Sequence, residues 1–316
     1  MPPRLITLTL NPALDAGCAV DRLVHTDKIR TREDHLDPGG GGINVARVVH
    51  ELGGDALAVM MGGGLTGALI EEMLNEAGVP HRNIQIPGRT RISFNVFEAA
   101  TGLEYRFVQQ GPEVAQSDWS RMQDALETIE GDWLVASGSL PRGLPDGAYA
   151  DIANVARRRG QRFVLDTSAM QLRAALGNGI TLIKPSLSEL ETLVGRTLPN
   201  LAAREDAALS LVRSGDAELV AVTLGAEGAL LASSDGVAWQ RVLPCEVRSA
   251  VGAGDSFTGA MTLALARGCS LPDALRWGVA AGTAAVVRAG TARIRRKDVE
   301  MQYRRLLDTG SERPGA

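Results

Sequence analysis

The run "VGAGDSF" (Val251–Phe257) brings phosphate-binding groups and a carboxylate together. An apolar helical pattern follows it, so the main-chain N–H groups of Gly252, Ala253 and Gly254 stand at a predicted helix N-terminus. Such N–H groups have no partner within the helix, and the helix dipole favours an anion there. The carboxylate of Asp255 can accept a proton from an attacking hydroxyl group, while the N–H groups stabilise a transferring phosphoryl group.

A second interpretation of Asp255 is equally supported at this point. The residue can be an ordinary helix N-cap, with Ser256 as the first residue of the helix.

Two other phosphate-binding patterns were compared with the sequence. The P-loop pattern G-x-x-x-x-G-K-[ST] does not occur in the chain. "GGGLTG" (Gly62–Gly67) fits the dinucleotide pattern, but no Asp or Glu for a ribose lies between His81 and Asn95. A tight strand-to-helix turn explains it better.

Four consecutive glycines precede another predicted helix, which carries Asn44 on its first turn. These glycines are Gly39, Gly40, Gly41 and Gly42. Glycine loses more backbone entropy on folding than any other residue, so the run needs a reason. A flexible linker would not interrupt a series of strands and helices with an apolar helix attached directly. The sequence favours close approach of a polar ligand to this backbone.

The loops belong to an alternating series of strands and helices. Short apolar strands are predicted at Arg4–Leu10, Asp55–Met61, Asp132–Gly138, Arg162–Ser168, Ile180–Ser186 and Glu218–Gly225. Helices are predicted at Gly42–Gly54, Thr66–Gly78, Asp146–Gly160, Gln171–Leu176, Ser188–Val194, Arg204–Ser214, Ser256–Arg267 and Leu271–Val287, with a hairpin-like stretch at Gly228–Val242. This alternation predicts an α/β fold of three layers, α/β/α, with a mostly parallel central sheet.

Two segments break the alternation. Ala16–Asp37 is polar and has no long helical pattern, and Thr90–Gly111 reads as a β-hairpin around "AATG". Together they predict a small four-stranded sheet beside the main domain. We therefore predict an α/β domain of residues 1–12, 38–89 and 112–308, a lid of residues 13–37 and 90–111, and a loose tail of residues 309–316.

Composition limits the class of protein. The 316 residues are 45% hydrophobic, which is enough for a large core. With 33 basic and 37 acidic residues and no basic stripe, nucleic acid is not an expected partner. Three widely spaced cysteines suit a reducing cytoplasm. Because no signal peptide and no apolar run of about 20 residues is present, we expect a cytoplasmic protein with no membrane partner.

The two glycine loops also occur together in a known family. "GGGGINVAR" followed much later by "VGAGDSF" resembles the paired signatures of the ribokinase-like, or PfkB, family of sugar kinases. The likeness covers nearly the whole chain in order, including Thr7–Asp15, Glu104–Gly111, Ser137–Gly143, Leu182–Leu190 and Val222–Ala229. Within the family the chain most resembles the phosphofructokinase branch, and in it the minor 6-phosphofructokinase type. The resemblance implies a ribokinase-like α/β domain with a β-sheet lid.

The resemblance also implies roles for individual residues. Asp255 would be the general base, and Gly252, Ala253 and Gly254 the anion hole. Sugar hydroxyls would be held by Asp15, Asn44 and the backbone of Gly39–Gly42. The sugar phosphate would face Arg91 and Arg106, whose forked guanidinium groups suit phosphate, with Lys28 and Ser139 as helpers. From the residues alone, a solvated strand edge explains both arginines better. The ATP site would be lined by Lys184, Ser186, Thr223, Gly225 and Gly228.

One position departs from the family pattern. After "KP" the family usually has Asn-x-x-Glu, which helps to hold Mg²⁺ through water. This chain has Ser186 and Glu189 instead. We expect Glu189 to keep its water-mediated contact and the shorter serine to alter the network without abolishing it.

The resemblance implies an ATP- and Mg²⁺-dependent kinase of carbohydrate metabolism, in glycolysis, that converts fructose 6-phosphate to fructose 1,6-bisphosphate. Fructose 1-phosphate and tagatose 6-phosphate remain alternative substrates, and a non-catalytic sugar-phosphate-binding regulator is a remote one. A homodimer formed through the lid is also expected. The related kinases for the two alternative sugars usually read "GGKG", so Gly41 is the position expected to influence which phosphosugar is preferred.

Overall fold

The computed structural model describes residues 2–288, 291 and 294–309. The strands are β1 (Arg4–Thr9), β2 (Ala13–Val20), β3 (Arg32–Gly39), β4 (Asp55–Met60), β5 (His81–Asn83), β6 (Arg91–Glu98), β7 (Leu103–Val108), β8 (Trp133–Ser137), β9 (Arg162–Asp166), β10 (Leu182–Ile183), β11 (Leu219–Thr223), β12 (Ala229–Ser233) and β13 (Gly236–Gln240). The helices are α1 (Gly41–Glu51), α2 (Gly64–Glu76), α3 (Gln116–Thr128), α4 (Ala148–Arg158), α5 (Ala169–Ala175), α6 (Leu187–Val194), α7 (Leu201–Arg213), α8 (Ala253–Ala266), α9 (Leu271–Val286) and α10 (Arg296–Thr309).

A nine-stranded sheet forms the centre, in the order β13-β12-β11-β10-β9-β8-β1-β4-β5. Seven neighbouring strands pair in parallel, in the sheet order β11-β10-β9-β8-β1-β4-β5. The strands β12 and β13 add an antiparallel hairpin at the β11 edge. In a parallel sheet all carboxyl ends meet at one edge, where ligands bind in α/β proteins. The predicted parallel α/β architecture is confirmed.

Helices cover both faces of the central sheet because its strands are apolar on both sides. Along β8 the alternate residues Leu134 and Ala136 join one core with α3 to α7. Trp133 and Val135 join the other core, with α1, α2 and α8 to α10. Successive side chains of a strand point to opposite faces, so one short run supplies both cores.

A second sheet of four strands, in the order β3-β2-β6-β7, lies beside the main one. The predicted second sheet is present, but its strands extend past the first predicted segment: β2 begins at Ala13, before Ala16, and β3 ends at Gly39, after Asp37. The central pair β2 and β6 is parallel, and both outer pairs are antiparallel. This sheet is called the lid below.

The structure adds elements that the sequence pattern left unassigned. The main additions are α3 and α10. Buried Trp119, Met122 and Leu126 stand at helical spacing on α3, so this helix was detectable from its periodicity. Of the predicted tail, residue 309 is the last of α10, and residues 310–316 lie outside the described part. Within the described residues, no helix has the length and apolar character needed to cross a membrane.

Candidate active site

The first turns of α1 and α8 lie side by side at the carboxyl edge of the central sheet. Asn44 in α1 donates a hydrogen bond of 2.9 Å from its Nδ2 to the carboxylate of Asp255 in α8. The N-cap residues, Gly40 and Gly252, have no side chain that could cap these helices. Two first-turn N–H groups have partners elsewhere: Ile43 N–H donates to Thr9 Oγ1 at 2.8 Å, and Ala253 N–H donates to Ala250 O at 3.4 Å. The other first-turn N–H groups of the two helices lie in one region, which both dipoles make attractive to anions.

Asp255 is not a helix cap. The N-cap of α8 is Gly252, with φ 76° in the left-handed region that glycine tolerates, and Asp255 is the third helical residue. The N-cap interpretation of Asp255 is therefore wrong. Its carboxylate points across to other elements, where it accepts hydrogen bonds from Asn44 and from Ser137 Oγ, the latter at 3.1 Å.

The surroundings of Asp255 suit a group that gains and loses a proton near neutral pH. Burial, together with the negative charge of Asp166, raises the pKa of its carboxyl to about 6. Hydrogen bonds from Asn44 and Ser137 and the charge of Lys184 act in the opposite direction. A base with a pKa near the working pH is both deprotonated and basic enough to accept a proton.

Lys184 places a cation beside this helix N-terminus. The residue follows β10, is buried, and forms a 3.2 Å ion pair with Asp166 at the end of β9. Its Nζ lies 3.5 Å from the point that a Cβ on Gly254 would occupy. Burial alone would lower the pKa of Lys184, but the carboxylates of Asp166 and Glu189 raise it, so the ammonium group stays charged. The arrangement gives a fixed positive charge next to the predicted anion hole.

The glycine run touches protein atoms at every position. A Cβ on Gly39 would lie 2.3 Å from the Asp15 carboxylate, and a Cβ on Gly41 would lie 2.1 Å from Ser137 Oγ. At Gly42 it would lie 2.3 Å from a main-chain oxygen of β1, and Gly40 has φ 109°. Close packing of α1 against Asp15, Ser137 and β1 is thus enough to require the run. Contact of a ligand with this backbone stays a prediction.

One face of the lid carries the predicted sugar-phosphate residues. Asp15 on β2 pairs in register with Ser93 on β6, two residues from Arg91, and Asn95 pairs with Arg106 on β7. Burial raises the pKa of Asp15, while Arg106 and Arg91 both lower it, so both guanidinium groups lie near this carboxylate. Arg91 is held by main-chain oxygens of Gln109 and Asn11, at 2.9 and 3.0 Å.

The two predicted helper residues are placed differently. Ser139 lies near the site, where its Oγ is 3.4 Å from the Asn11 amide nitrogen. Lys28 is exposed in the connection between β2 and β3. A role for Lys28 in binding the sugar phosphate stays a prediction.

The predicted nucleotide residues form a second loop cluster at the same sheet edge. Ser186 bridges to Thr223 at the end of β11, and the turn after β11 closes with a 2.9 Å bond from Leu224 N–H to Gly228 O. Gly225 and Gly228 have φ 60° and 114°. A Cβ on Gly228 would lie 2.1 Å from a main-chain oxygen of Gln240. The turn therefore depends on glycine for its backbone shape.

The residues present fit Mg²⁺ held through water but not through a direct protein cage. Within the described residues, no three His, Cys, Asp or Glu side chains are grouped to ligate a metal. Glu189 Oε2 accepts from both the N–H and the hydroxyl of Ser186, at 2.7 and 2.8 Å. Ser186 thus replaces the family asparagine with a capping box that fixes this carboxylate at the start of α6. Magnesium commonly keeps several waters and binds substrate phosphates, which such a site allows.

The dinucleotide-like run is a packing turn, as expected. A Cβ on Gly63 would lie 2.1 Å from the main-chain oxygen of Gly88 and 2.3 Å from that of Ile86. Protein backbone thus packs directly against this glycine, as in a tight strand-to-helix turn.

Sequence reasoning missed four polar residues of the site. They are Asn11, Arg47, Ser137 and Asp166. Two of them, Ser137 and Asp166, end β8 and β9. A polar residue at the carboxyl end of a buried parallel strand is a recognisable signal, so these two could have been found.

Comparison with known proteins agrees with this geometry. The sequence profile described as "pfkB family carbohydrate kinase" matches residues 10–297. The chain belongs to the pfkB family of carbohydrate kinases. It is 43% identical over 300 residues to an ATP-dependent 6-phosphofructokinase isozyme 2 of Mycobacterium tuberculosis, covering 94% of this chain and 88% of that protein.

Two further pfkB relatives show how similar the chain is to 6-phosphofructokinases and to 1-phosphofructokinases. The crystal structure of phosphofructokinase-2 from Escherichia coli in complex with substrates and products superposes with a TM-score of 0.93 and 38% identity, covering 96% of this chain and 99% of that one. A 1-phosphofructokinase of Borreliella burgdorferi is 30% identical, covering 90% of this chain and 92% of that protein. Identity is thus higher to the 6-phosphofructokinases.

Proposed function

We propose that this pfkB protein is an ATP- and Mg²⁺-dependent kinase that converts fructose 6-phosphate to fructose 1,6-bisphosphate. The observation that carries the proposal is the position of Asp255. Its half-buried carboxylate, in the first turn of α8, accepts hydrogen bonds from the side chains of Asn44 and Ser137. The higher identity to named 6-phosphofructokinases supports the choice of sugar.

The sugar would lie between the lid and the glycine run. Arg91 and Arg106 would bind its phosphate, because forked guanidinium groups suit phosphate oxygens. Asp15, Asn44 and the backbone of Gly39–Gly42 would hold its hydroxyl groups, with the side chain of Ser139 close by. This orientation would place a primary hydroxyl beside Asp255.

Phosphoryl transfer would then be an in-line displacement. Asp255 would accept the proton of the hydroxyl group, whose oxygen forms a bond to the γ-phosphorus as the bond to the ADP oxygen breaks. The N–H groups of Gly252, Ala253 and Gly254 would stabilise the charge on the transferring group, together with the Lys184 ammonium. Thr223, Gly225 and Gly228 would line the nucleotide.

Glu189, oriented by Ser186, would hold Mg²⁺ through water near the nucleotide phosphates. When bound, the metal neutralises charge on the β- and γ-phosphate oxygens. The other contributions would come from the protein: Lys184 would orient the phosphates, and Asp255 would accept the proton of the hydroxyl group.

Kinetic constants for fructose 6-phosphate, fructose 1-phosphate and tagatose 6-phosphate test the substrate assignment. We expect kcat/KM, measured by coupled ADP release, to be highest for fructose 6-phosphate. A tenfold preference for fructose 1-phosphate would instead favour the 1-phosphofructokinase function. Calorimetric binding of phosphosugars without ADP release under any condition would favour a non-catalytic regulator.

Gly41 is the position where the sugar preference can be probed by mutation. We expect Gly41→Lys to shift the ratio of kcat/KM values away from fructose 6-phosphate and towards fructose 1-phosphate. A Cβ at Gly41 would also press on Ser137, which donates to Asp255, so kcat should fall by about tenfold as well.

Gly41→Ala is the matched control, because it adds the Cβ without the ammonium group. It should lower kcat by a similar factor and leave the ratio of kcat/KM values unchanged. If Gly41→Lys and Gly41→Ala give the same ratio, position 41 does not set the sugar preference.

The outer face of the lid supports a homodimer. Leu36, Ala16, Phe94 and Phe107 pair in register across all four strands, on the face opposite Asp15. The side chains of Leu36, Phe94 and Phe107 are 44%, 44% and 57% exposed, which leaves an apolar row in water. Such a row is typical of a protein interface.

We expect a dimeric mass by light scattering at micromolar concentration, and a monomeric mass for Phe94→Asp. A monomeric mass for the wild type would contradict a lid-mediated dimer.

The proposed reaction favours a cytoplasmic location for the protein, because ATP and phosphosugars are held there. Its free Cys18, Cys245 and Cys269 would stay reduced there.

A further inference from the structure

Arg47 joins parts of the molecule that the proposed mechanism treats separately. Its side chain, on the second turn of α1, is only 16% exposed. Nη1 donates to the main-chain oxygens of Thr291 and Pro38, at 3.1 and 3.2 Å, and to Asn44 Oδ1 at 3.3 Å. Nη2 lies 3.4 Å from Asp37 Oδ1. One guanidinium group therefore contacts the lid, α1 and the segment after α9.

Asp37 anchors the lid end of this contact. Its side chain, on β3, is 3% exposed, and Oδ2 accepts a 3.2 Å hydrogen bond from Thr291 N–H. A buried carboxylate needs such partners, because an unpaired charge in the interior is strongly destabilising. The position of the lid strand and the position of Arg47 are thus linked.

The contact with Asn44 determines which way its amide points. An amide group has one donor end and one acceptor end, whereas a guanidinium group can only donate and a carboxylate can only accept. Arg47 holds the amide oxygen of Asn44 towards itself. The NH₂ end must then face Asp255, to which it donates at 2.9 Å.

We propose that Arg47 is a positioning residue for the reaction: it holds the Asn44 amide in the orientation that supports the Asp255 carboxylate. Through Asp37 it also ties this orientation to the lid. The proposal rests on the proposed function, in which Asp255 is the base. In this proposal Arg47 acts through the Asn44 amide and not by contact with the substrate. A flipped Asn44 amide would turn an oxygen towards the carboxylate and repel it.

A purely structural role for Arg47 makes a different prediction, so a double-mutant cycle separates the two. Arg47→Met keeps the side-chain stem but removes the ion pair with the buried Asp37. Arg47→Met is therefore combined with Asp37→Asn, so that both charges are removed together. The effect of losing Arg47 is the difference between this double variant and Asp37→Asn alone. The same difference is measured once with Asn44 present and once with Asn44→Ala.

We expect loss of Arg47 to lower kcat about tenfold in the wild-type background, with KM for ATP changed less than twofold. In the Asn44→Ala background the same change should alter kcat by less than twofold, because Arg47 acts through Asn44. An equal fall in both backgrounds, or no fall in either, would overturn the proposal. Thermal unfolding of each variant shows that the protein compared is folded.

Arg267→Met is the matched control at the other end of α1. Arg267 donates to the main-chain oxygens of Leu52 and Gly53, at 3.3 and 2.9 Å, far along the helix from Asp255. Its loss should lower the unfolding temperature and leave kcat within twofold.

Asp255→Asn separates the proposed function from the positioning role of Arg47. If Asp255→Asn is inactive while the Arg47 variants turn over normally, only the positioning role is wrong. If Asp255→Asn remains active, the base assignment and the positioning role both fall.

Discussion

Asp255→Asn should lose about 10²- to 10⁴-fold in kcat with fructose 6-phosphate while remaining folded. The amide has almost the same shape as the carboxyl group, so packing around the first turn of α8 should be kept. It cannot accept the hydroxyl proton. Coupled ADP release gives kcat, and thermal unfolding and circular dichroism verify the fold.

The pH profile and a matched control sharpen this test. Because burial raises the pKa of Asp255 to about 6, the wild-type kcat/KM should fall as the pH drops below 6 and the base becomes protonated. The acid limb should be absent from the residual activity of Asp255→Asn. Asp118→Asn changes a buried aspartate that pairs with Arg121 on α3, and it should keep the wild-type kcat. Near-normal turnover of folded Asp255→Asn would show that another group accepts the proton.

Lys184→Met should lower kcat/KM by about 10²- to 10³-fold, the effect of losing one preorganised donor to the reacting phosphoryl group. It should also lower the free energy of unfolding by about 3–5 kcal/mol, because Asp166, whose side chain is only 13% exposed, would lose its cation. Steady-state kinetics and urea unfolding measure the two effects separately.

The double variant Lys184→Met and Asp166→Asn separates these effects. Removing both charges should recover most of the lost free energy of unfolding, since no buried charge is left unpaired. Activity should remain low, because the cation beside Gly254 is still missing. Recovery of kcat/KM together with stability would mean that Lys184 only maintains the fold.

Much of the fold could be predicted because it depends on local patterns. Apolar runs such as Arg4–Leu10 indicate strands buried on both faces, and glycine stops mark the ends of helices. The loop before α8 was recognisable as an anion site for the same reason: its N–H groups and Asp255 are adjacent in sequence.

The rest of the site depends on contacts between distant residues. Ser137 and Asn44 lie 118 and 211 residues from Asp255, and only folding brings them to its carboxylate. Arg47 reads as a surface position of an amphipathic helix until the segment at Thr291 covers it. The choice between cap and base for Asp255 likewise needed the backbone angle of Gly252.

The run from Gly39 to Gly42 shows both sides of this limit. Its composition indicated a close approach to the backbone, and the predicted neighbour was a polar ligand. The groups found there include the protein's own Asp15 and Ser137, which no local pattern could name. Sugar contact by the same backbone remains a prediction.

Identifying the product made from fructose 6-phosphate and ATP tests the central claim most directly. Phosphorus NMR of the reaction mixture distinguishes the position of the new phosphate, and coupled ADP release gives the stoichiometry. The account predicts fructose 1,6-bisphosphate with one ADP for each sugar consumed, and loss of both signals in Asp255→Asn. Absence of ADP release with fructose 6-phosphate, or a product phosphorylated at another position, would contradict it.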